Sequence, residues 1–274
     1  MSRFLGVNYN ILVIVSRGNI APPTTLLPVS SKSPTSKTLQ DFKLQSLIFF
    51  IKNEMLITNS TKVEVYKMKV LLVNGSPNKK GCTYTALCEV EKELNNFNIE
   101  TEIFYVGKKP IRGCTGCGKC TETGKCVFDD DAVNVALDKG NTSNGFIFGS
   151  PVHYAGPSGF IKSFLDRCFY AGSNVFAYKP GAAIVSCRRG GAISAFDQLN
   201  KYFSINNMPI VSSQYWNMVH GNTPEEVLQD IEGLQTMRTL GRNMAWLLQS
   251  IEAGKNAGVP LPEKEDRVWT NFIR

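Results

Sequence analysis

The chain has 274 residues, of which 43% are apolar, a composition typical of a globular protein with a sizeable core. Its net charge of +7 comes mainly from one end. The first 68 residues contain eight Lys or Arg and three Asp or Glu, whereas the remainder contains 22 and 20. So small a basic excess in the body gives no reason to expect a nucleic-acid partner. The apolar runs at 11–15 and 47–51 are far too short to cross a bilayer, so no membrane span is expected.

Residues 1–67 differ in composition from the rest of the chain. Between the two apolar runs lies a tract rich in Ser, Thr, Pro and Lys, 21–38, with the composition of a linker or disordered segment. Arginine is scarce and no basic amphipathic helix is evident. The pattern therefore favours a poorly ordered or dispensable extension, with an organelle-targeting signal as the alternative. We expect the folded domain to occupy 68–254, followed by a tail at 255–274.

From Met68 onward, apolar strands alternate with amphipathic helices. The strands are expected at 70–74, 100–106, 145–150, 181–187 and 209–213. The helices are expected at 83–95, 129–139, 159–170, 193–203 and, from a capping box at Thr223, about 224–251. This alternation predicts an α/β fold with a parallel sheet covered on both faces. Ligands of such sheets bind at the carboxyl ends of the strands, which directs attention to loop 1 (75–83), loop 2 (150–159) and loop 3 (187–191).

Loop 1 joins a strand that is apolar on both faces to the N-terminus of a helix. Gly75 opens a turn that presents backbone N–H groups and the positive end of a helix dipole, and Ser76, Asn78 and Thr83 add side-chain donors. The spacing of its glycines excludes both a nucleoside-triphosphate loop and a dinucleotide fingerprint. A single terminal phosphate, as in FMN, fits the loop better. The alternative is a turn that merely closes a β–α unit.

Loops 2 and 3 carry groups suited to a flat cofactor. Loop 2, SPVHYAGPSG, is stiffened by prolines and glycines, and His153 and Tyr154 offer flat rings with polar tips. Loop 3, CRRGG, places Arg188 and Arg189 where positive charge can stabilise a reduced anionic ring or hold a nicotinamide phosphate. The alternatives are ordinary loop residues in loop 2 and a solvated arginine pair in loop 3.

The stretches VNGSPNKKGCT, GSPVHYAGPSG and SCRRGG together resemble the NADPH-dependent FMN reductase family of the flavodoxin-like fold, over about residues 68–250. The resemblance implies a three-layer sandwich around a five-stranded parallel sheet of order 2-1-3-4-5. It also implies FMN contacts from all three loops, at Ser76, Asn78, Cys82, Thr83, Ser150, Pro151, Val152, His153, Tyr154, Cys187, Arg188, Arg189 and Gly190. The family often has asparagine at the position of Cys82 and an aromatic residue at that of His153. A thiol donates only weakly, so Cys82 would contact phosphate through its backbone.

All eight cysteines follow residue 81, and four fall within 13 residues with the spacing Cys114-x2-Cys117-x2-Cys120-x5-Cys126. Such clustering indicates a metal or redox site in a reducing compartment, so we expect a cytoplasmic protein. Zinc knuckles are usually a dozen residues apart, whereas a tight run suits a cubane. The segment resembles the motif of the iron–sulfur flavoproteins, a branch of the same family, which implies a [4Fe-4S] cluster. Zinc, free thiols and a redox disulfide stay open as alternatives.

The resemblance also implies an activity. Such an FMN-dependent oxidoreductase takes a hydride from NAD(P)H and passes electrons to a quinone, a free flavin or another small acceptor, and with a cluster to a ferredoxin. No side chain is then required as a catalytic acid or nucleophile. The alternatives are a flavodoxin-type electron carrier without its own turnover and a non-catalytic binding module that has lost flavin. The long C-terminal helix exceeds the width of a small sheet, and its overhang predicts contact with a second subunit in a homodimer or homotetramer.

Overall fold

A parallel sheet forms the centre of the computed structural model, which describes residues 67–266 and 268–272. In chain order the strands are β1 (Lys69–Asn74), β2 (Glu100–Tyr105), β3 (Gly145–His153), β4 (Gly156–Pro157), β5 (Gly181–Cys187) and β6 (Met218–His220). The sheet order is β2-β1-β3-β5-β6, and the two-residue β4 pairs antiparallel with β3. When β4 is left out and the five parallel strands are numbered in chain order, the sheet order is 2-1-3-4-5, as the resemblance implied. The β4 hairpin was not predicted.

The helices of the described chain are α1 (Cys82–Asn96), α2 (Cys120–Thr123), α3 (Ala132–Asn141), α4 (Gly159–Ala171), α5 (Ser173–Phe176), α6 (Ala192–Ile205), α7 (Pro224–Val227) and α8 (Ile231–Asn256). Within the described residues, no helix is both long enough and apolar enough to cross a bilayer. The predicted extension at 1–67 lies outside the described residues apart from Lys67. Helix α8 continues to Asn256, just past the predicted domain end at 254.

The sheet separates two hydrophobic cores, and β1 contributes to both because successive strand side chains point to opposite faces. Val70 and Leu72 pack in the core that α1 and α8 cover. Leu71 and Val73 pack in the opposite core, which α3, α4 and α6 cover. All four side chains are at most 1% exposed, as the apolar run predicted for a central strand covered on both faces. This arrangement confirms the expected three-layer sandwich.

Helices α1 and α8 pack unusually closely on one face of the sheet. A Cβ atom added at Gly241 would come within 2.7 Å of the Glu93 Cβ, so glycine lets the two backbones approach. Two ion pairs flank this contact: Arg238 Nη1 lies 2.7 Å from Glu89 Oε1, and Arg242 Nε lies 3.1 Å from Glu93 Oε2. The contact fixes α1, and with it the helix N-terminus that follows loop 1.

The prediction of the fifth strand at 209–213 was wrong. Within that run, Ile210 forms a single parallel bridge with Gly181, and the paired strand is β6. Gly181 N–H donates to the Pro209 carbonyl, and Val211 N–H donates to the Gly181 carbonyl. After these two bonds the chain leaves the sheet edge. It returns at 218–220, which pairs with the carboxyl end of β5 as strand β6.

The single long helix predicted for 224–251 is also wrong, because the structure divides it into α7 and α8. Asp230 interrupts the helix: its carboxylate accepts hydrogen bonds from the N–H groups of Gly233 and His220, at 2.9 and 2.7 Å. Aspartate favours such capping over a helix interior. Ile231 is consequently 76% exposed in the first turn of α8.

Candidate functional site

The three loops singled out by the sequence meet at the carboxyl ends of β1, β3 and β5. The N–H of Gly75 donates to the Gly149 carbonyl at 2.9 Å, which joins loop 1 to β3. The hydroxyl of Ser158 donates to the Gly75 carbonyl at 2.9 Å, which joins loop 2 to loop 1. The hydroxyls of Thr83 and Ser186 lie 2.8 Å apart and join α1 to the end of β5. The loops therefore surround the point where the sheet order reverses, which is the usual ligand crevice of such folds.

Loop 1 is held by hydrogen bonds within the loop, from Asn74 of β1 and from Tyr105 of β2. Ser76, which is buried, donates its N–H to Asn74 Oδ1 at 3.1 Å, and its hydroxyl accepts the Asn78 N–H at 3.1 Å. The hydroxyl of Tyr105 donates to the Pro77 carbonyl at 2.8 Å. These bonds place loop 1 at the start of α1 in one conformation, with Asn78 exposed at its tip.

Helix α1 begins without a side-chain cap. Among the helices of ten or more residues in the described chain, α3, α4 and α8 are capped by Asp131, Ser158 and Asp230. The N-caps of α1 and α6 are Gly81 and Gly191, neither of which offers a side-chain acceptor. Their first-turn N–H groups are thus available to an external anion, and these two helices follow loops 1 and 3.

Cys82 has a neutral thiol beside the available N–H groups of α1. Its Sγ donates to the Gly221 carbonyl at 3.6 Å, and burial together with the nearby Glu225 and Glu226 raises the pKa of this thiol. The side chain is therefore engaged with the protein, and the backbone of Cys82 is the part left to face an anion. This geometry agrees with the weak donor role expected for a thiol at this position.

The sequence did not indicate that residues 221–224, which follow β6, lie next to loop 1. This segment contributes to a cavity of about 380 Å³ beside loop 1, which is lined by Asn78, Lys79, Lys80, Gly81, Cys82, Lys108, Asn222 and Pro224. Three lysines give this cavity positive charge. A Gly-Asn pair after a strand is only a turn signal, so the sequence offered no indication that 221–224 would cross to α1.

Loop 2 forms a tight hairpin between β3 and β4, in which His153 pairs with Gly156. Tyr154 and Ala155 stand at its tip with φ of 47° and 58°, a conformation that non-glycine residues adopt at a cost in energy. His153 and Tyr154 are exposed, whereas Pro151 and Val152 are half-buried. The hydroxyl of Ser150 is buried, accepts the Ser158 N–H at 3.0 Å and donates to the Pro151 carbonyl at 2.8 Å. The hairpin thus projects two rings from a rigid base.

Loop 3 leaves β5 at Cys187, whose side chain is buried. Burial raises the pKa of the Cys187 thiol, although a hydrogen bond with the Arg189 backbone opposes the effect. Arg188, Arg189 and Gly190 are exposed. A cavity of about 610 Å³ adjoins the loop and is lined by Arg189, Gly190, Gly191, Ala192, Ile193, Ser194, Tyr215, Met218, His220, Asp230, Glu232, Gly233 and Thr236. Arg189 therefore borders open space at the carboxyl end of the sheet, and Arg188 is exposed beside it.

The four cysteines of the segment 114–126 share one cavity of about 440 Å³. Cys114 and Cys117 are exposed, and Cys120 and Cys126 are half-buried. Burial raises the pKa of Cys120, and the other three thiols raise it further. Among the described residues, no three His, Cys, Asp or Glu side chains converge closely enough to hold a single metal ion. Four thiols around one cavity suit a larger group, because each iron of a cubane takes its own thiolate.

Arg167 lies beside these cysteines and was not identified from the sequence. Its side chain is 1% exposed and forms an ion pair with Asp131, and its Nε donates to Cys126 Sγ at 3.2 Å. Burial disfavours the charge, but the bonds to Asp131 and Cys126 outweigh burial and raise the pKa of Arg167. The signal available in the sequence was a charged residue three positions after Phe164 and directly before Cys168, which are apolar residues of the same helix.

Comparison with known proteins identifies the family. The family model described as NADPH-dependent FMN reductase matches residues 68–223. An iron–sulfur flavoprotein of Methanocaldococcus jannaschii is 32% identical over 193 residues, which cover 68% of this chain and 100% of that protein. An iron–sulfur flavoprotein of Archaeoglobus fulgidus is 30% identical over 175 residues, covering 62% and 86%. The match spans the sheet and all three loops.

Solved structures share the fold at low sequence identity. RosB, crystallised with bound 8-demethyl-8-formylriboflavin-5′-phosphate, is 12% identical and superposes with a TM-score of 0.52 over 76% of this chain and 92% of that chain. A flavone reductase is 17% identical, with a TM-score of 0.53 over 68% and 64%. These likenesses support the flavodoxin-like architecture. With the family match, they lead to one conclusion: the chain belongs to the NADPH-dependent FMN reductase family and is a flavodoxin-like FMN flavoprotein oxidoreductase.

Proposed function

We propose that this oxidoreductase takes reducing equivalents from NADPH or NADH on FMN bound by loops 1, 2 and 3, and delivers them to a small acceptor such as a quinone or a free flavin. We further propose that a [4Fe-4S] cluster on the cysteine segment serves as a second redox centre and exchanges single electrons with a ferredoxin-like partner. When bound, FMN supplies hydride acceptance and the return of electrons singly or in pairs.

The observation that carries this proposal is the uncapped start of α1 behind a rigid loop 1. Orphan N–H groups at a helix N-terminus favour an anion, and Ser76, Asn78 and Thr83 surround that end with polar side chains. Lysines line the neighbouring cavity and add positive charge for a phosphate. The residues of loop 1 thus fit the terminal phosphate of FMN, with Cys82 contributing its backbone.

Loops 2 and 3 fit the remainder of the cofactor. The hairpin of Pro151, Val152, His153 and Tyr154 would flank one edge of the ring, while Cys187 to Gly190 would lie along it. Arg188 and Arg189 would supply positive charge to a reduced, anionic ring or to the phosphates of a nicotinamide dinucleotide. In this arrangement the protein positions the reactants and excludes water, and no side chain is required as a proton donor.

The cysteine segment fits an iron–sulfur cluster in donor chemistry. Cys114, Cys117, Cys120 and Cys126 supply the four thiolates that a cubane needs, and they line one cavity. Positive φ angles of 65° at Gly116 and 73° at Gly118 let the backbone coil between the first three of them. The names of the curated relatives, iron–sulfur flavoproteins, support the same assignment.

We also propose a cytoplasmic homodimer or homotetramer. Helix α8 has 26 residues, which corresponds to about 39 Å at 1.5 Å per residue. Its exposed apolar residues include Ile231 and Trp246, at 76% and 69% exposure. A second copy of this chain would cover such an overhang. Sedimentation of the purified protein measures the subunit count, and a monomer at micromolar concentration would contradict it.

Anaerobic purification with iron and sulfide supplied tests the redox centres. We expect about one FMN and about four iron atoms per chain, with flavin and cluster absorption bands in the same spectrum. Oxidation of NADPH or NADH in the presence of a quinone should accompany them. Flavin without any nicotinamide oxidation would favour a flavodoxin-type electron carrier, and flavin without iron or labile sulfide would leave an FMN-only reductase.

A Ser76→Leu variant tests the position of the phosphate. The bulkier side chain should abolish FMN retention while leaving the fold intact, because it fills the concavity and removes the hydroxyl that accepts the Asn78 N–H. Ser204→Leu on the exposed end of α6 is the matched control. Flavin bound at undiminished affinity by Ser76→Leu would place the phosphate elsewhere.

A further inference from the structure

Among the fully buried side chains of the described chain, that of Arg167 is the largest, and it is 1% exposed. A buried guanidinium costs solvation free energy and persists only where charged or hydrogen-bonding partners satisfy it. It lies on α4, outside the three loops proposed to bind FMN, and it is not among the proposed flavin contacts. Its partners come from the cysteine segment and from the residues that flank it.

Each of the three guanidinium nitrogens has a partner. Nη1 pairs with the Asp131 carboxylate and lies 3.4 Å from the Arg112 carbonyl oxygen. Nη2 donates to the Phe128 carbonyl at 2.9 Å. The planar fork held by these contacts directs the remaining donor, Nε, to Cys126 Sγ at 3.2 Å. The other contacts fix the orientation of the guanidinium, so the direction of the bond from Nε to Cys126 Sγ is determined by the fold.

Cys126 is held as firmly as Arg167. Its backbone N–H donates to Asn134 Oδ1 at 2.9 Å, and its carbonyl accepts from Asn134 Nδ2 at 2.8 Å. Asn134 is 5% exposed and lies in α3. Cys114 and Cys117, in contrast, are exposed. Cys120 is half-buried, and its Sγ donates to the Tyr170 carbonyl at 3.6 Å. Cys126 is thus one of two thiols anchored to the folded body, and it is the one whose sulfur accepts a hydrogen bond from a charged donor.

We propose that Arg167 is a positioning residue that raises the reduction potential of the cluster held by the cysteine segment, through its hydrogen bond to the Cys126 sulfur. This inference rests on the proposed function. Cluster potentials depend on net charge, burial and hydrogen bonds to sulfur, and outer contacts of a ligand tune the metal. Reduction adds one negative charge to the cluster, and a cationic donor at sulfur stabilises the reduced state more than the oxidised state.

The competing role for Arg167 is to neutralise Asp131 without affecting the sulfur. Three variants separate the two. Arg167→Gln removes the charge and the Nε donor. Arg167→Gln combined with Asp131→Asn removes the donor while keeping the net charge of the pair at zero. Arg167→Lys keeps the charge but loses the planar fork. Arg112→Gln is the matched control, because Arg112 is an arginine two residues before Cys114, is 50% exposed and pairs with Asp130.

The measurement is a spectroelectrochemical titration of the anaerobically prepared protein with FMN and cluster bound, together with its iron content. We expect at least a tenfold shift of the one-electron equilibrium toward the oxidised cluster in Arg167→Gln, which is a change of about 59 mV to lower potential. The double variant should shift in the same direction, Arg167→Lys should shift less, and Arg112→Gln should match the wild type. Iron content should stay near that of the wild type.

Any other result rejects either the sulfur contact, the effect of Arg167 on the potential, or the cluster itself. A potential restored in the double variant would assign the effect to net charge and reject the sulfur contact. Full iron content with unchanged potential in every variant would reject the inference and leave the proposed cluster intact. Wild-type protein without iron or labile sulfide would reject the cluster itself, and the inference with it. If Arg167→Gln does not fold, Arg167→Lys and the double variant, which leave no buried charge unpaired, decide the question.

Discussion

Gly191 lies directly against Ala155, because a Cβ atom added at Gly191 would come within 2.7 Å of the Ala155 Cα. Gly191 precedes α6 as its N-cap and has a φ of 85°, in the region that favours glycine. The Ser194 hydroxyl donates to the carbonyl of the same Ala155. Loops 2 and 3 therefore touch through a backbone contact, and the relative position of the two predicted flavin loops depends on it.

We expect Gly191→Ala to destabilise the flavin-free protein by roughly 1–3 kcal/mol, because it combines an unfavourable φ with a clash against backbone. Gly190→Ala is the matched control, since an added Cβ at Gly190 meets no described atom within 4 Å. Urea unfolding of both variants measures the difference. Equal stability would show that loops 2 and 3 do not depend on this contact.

Two neighbouring aspartates should differ sharply in their contribution to stability. Asp131→Asn keeps an acceptor for the start of α3 but leaves the buried Arg167 without its counter-charge, which costs roughly 3–5 kcal/mol. Asp130→Asn breaks an ion pair whose side chains are 66% and 50% exposed, and should cost about 0–1 kcal/mol. Denaturant titrations of the two variants give the comparison. Similar losses would mean that the Arg167 pair is solvated in solution.

Acid should weaken the contact between α1 and α8 through Glu89. Burial raises the pKa of Glu89, but hydrogen bonds from Arg238 and Lys92 outweigh burial and hold that pKa below its ordinary value. A carboxylate with a lowered pKa in the folded state stabilises the protein above its unfolded pKa, and that stability is lost as the pH falls through the folded pKa. We therefore expect stability to decline below about pH 4.5, the reference value for this group.

The Glu89→Gln variant isolates this contribution. It should be less stable than the wild type at neutral pH, and its stability should depend less on pH in the acid range. Glu91→Gln, on the same helix, is a suitable control. Thermal unfolding between pH 3 and pH 7 measures both, and parallel acid profiles for wild type and Glu89→Gln would rule out the assignment.

The local signals in the sequence predicted the first β–α unit well. A run of apolar residues, a glycine turn and an amphipathic pattern placed β1, loop 1 and α1 within one or two residues of the structure. They did not predict β6, because a three-residue strand is defined by the strand it joins. Pairing between Val185 and Met218 connects residues distant in sequence, and no local pattern records such pairing.

In the candidate site, too, local sequence signals predicted some features, whereas others depend on contacts between distant segments. Loop residues 76–83, 150–154 and 187–190 follow strands whose positions the sequence indicated, so their convergence follows from a parallel sheet. Arg167 was missed although it is a lone charge on an apolar helix face. Its partners Asp131 and Cys126 come from separate segments, so only the fold reveals that the charge is satisfied.

A chain that begins at Met68 should fold and bind FMN like the full chain. The described residues all belong to one compact unit, and the Met68 carbonyl accepts the Glu100 N–H at 2.8 Å, which ties the start of the domain to β2. The Lys67–Glu100 ion pair is lost, but it is solvent-exposed and contributes little. The melting temperature and flavin content of the shortened chain check this. A large loss of either would mean that 1–67 contribute to the fold.

Serine substitutions in the cysteine segment should separate the two redox centres. Replacing any one of Cys114, Cys117, Cys120 and Cys126 should lower the iron content of anaerobically prepared protein, because each iron of a cubane needs its own thiolate. FMN content should stay near that of the wild type, since the proposed flavin contacts lie in other loops. Cys88→Ser is the control: Cys88 lies in α1, where its thiol interacts with Tyr84. An undiminished iron content in all four variants would exclude the segment as the ligand set, whereas parallel loss of iron and FMN would show that the two centres form one cooperative site.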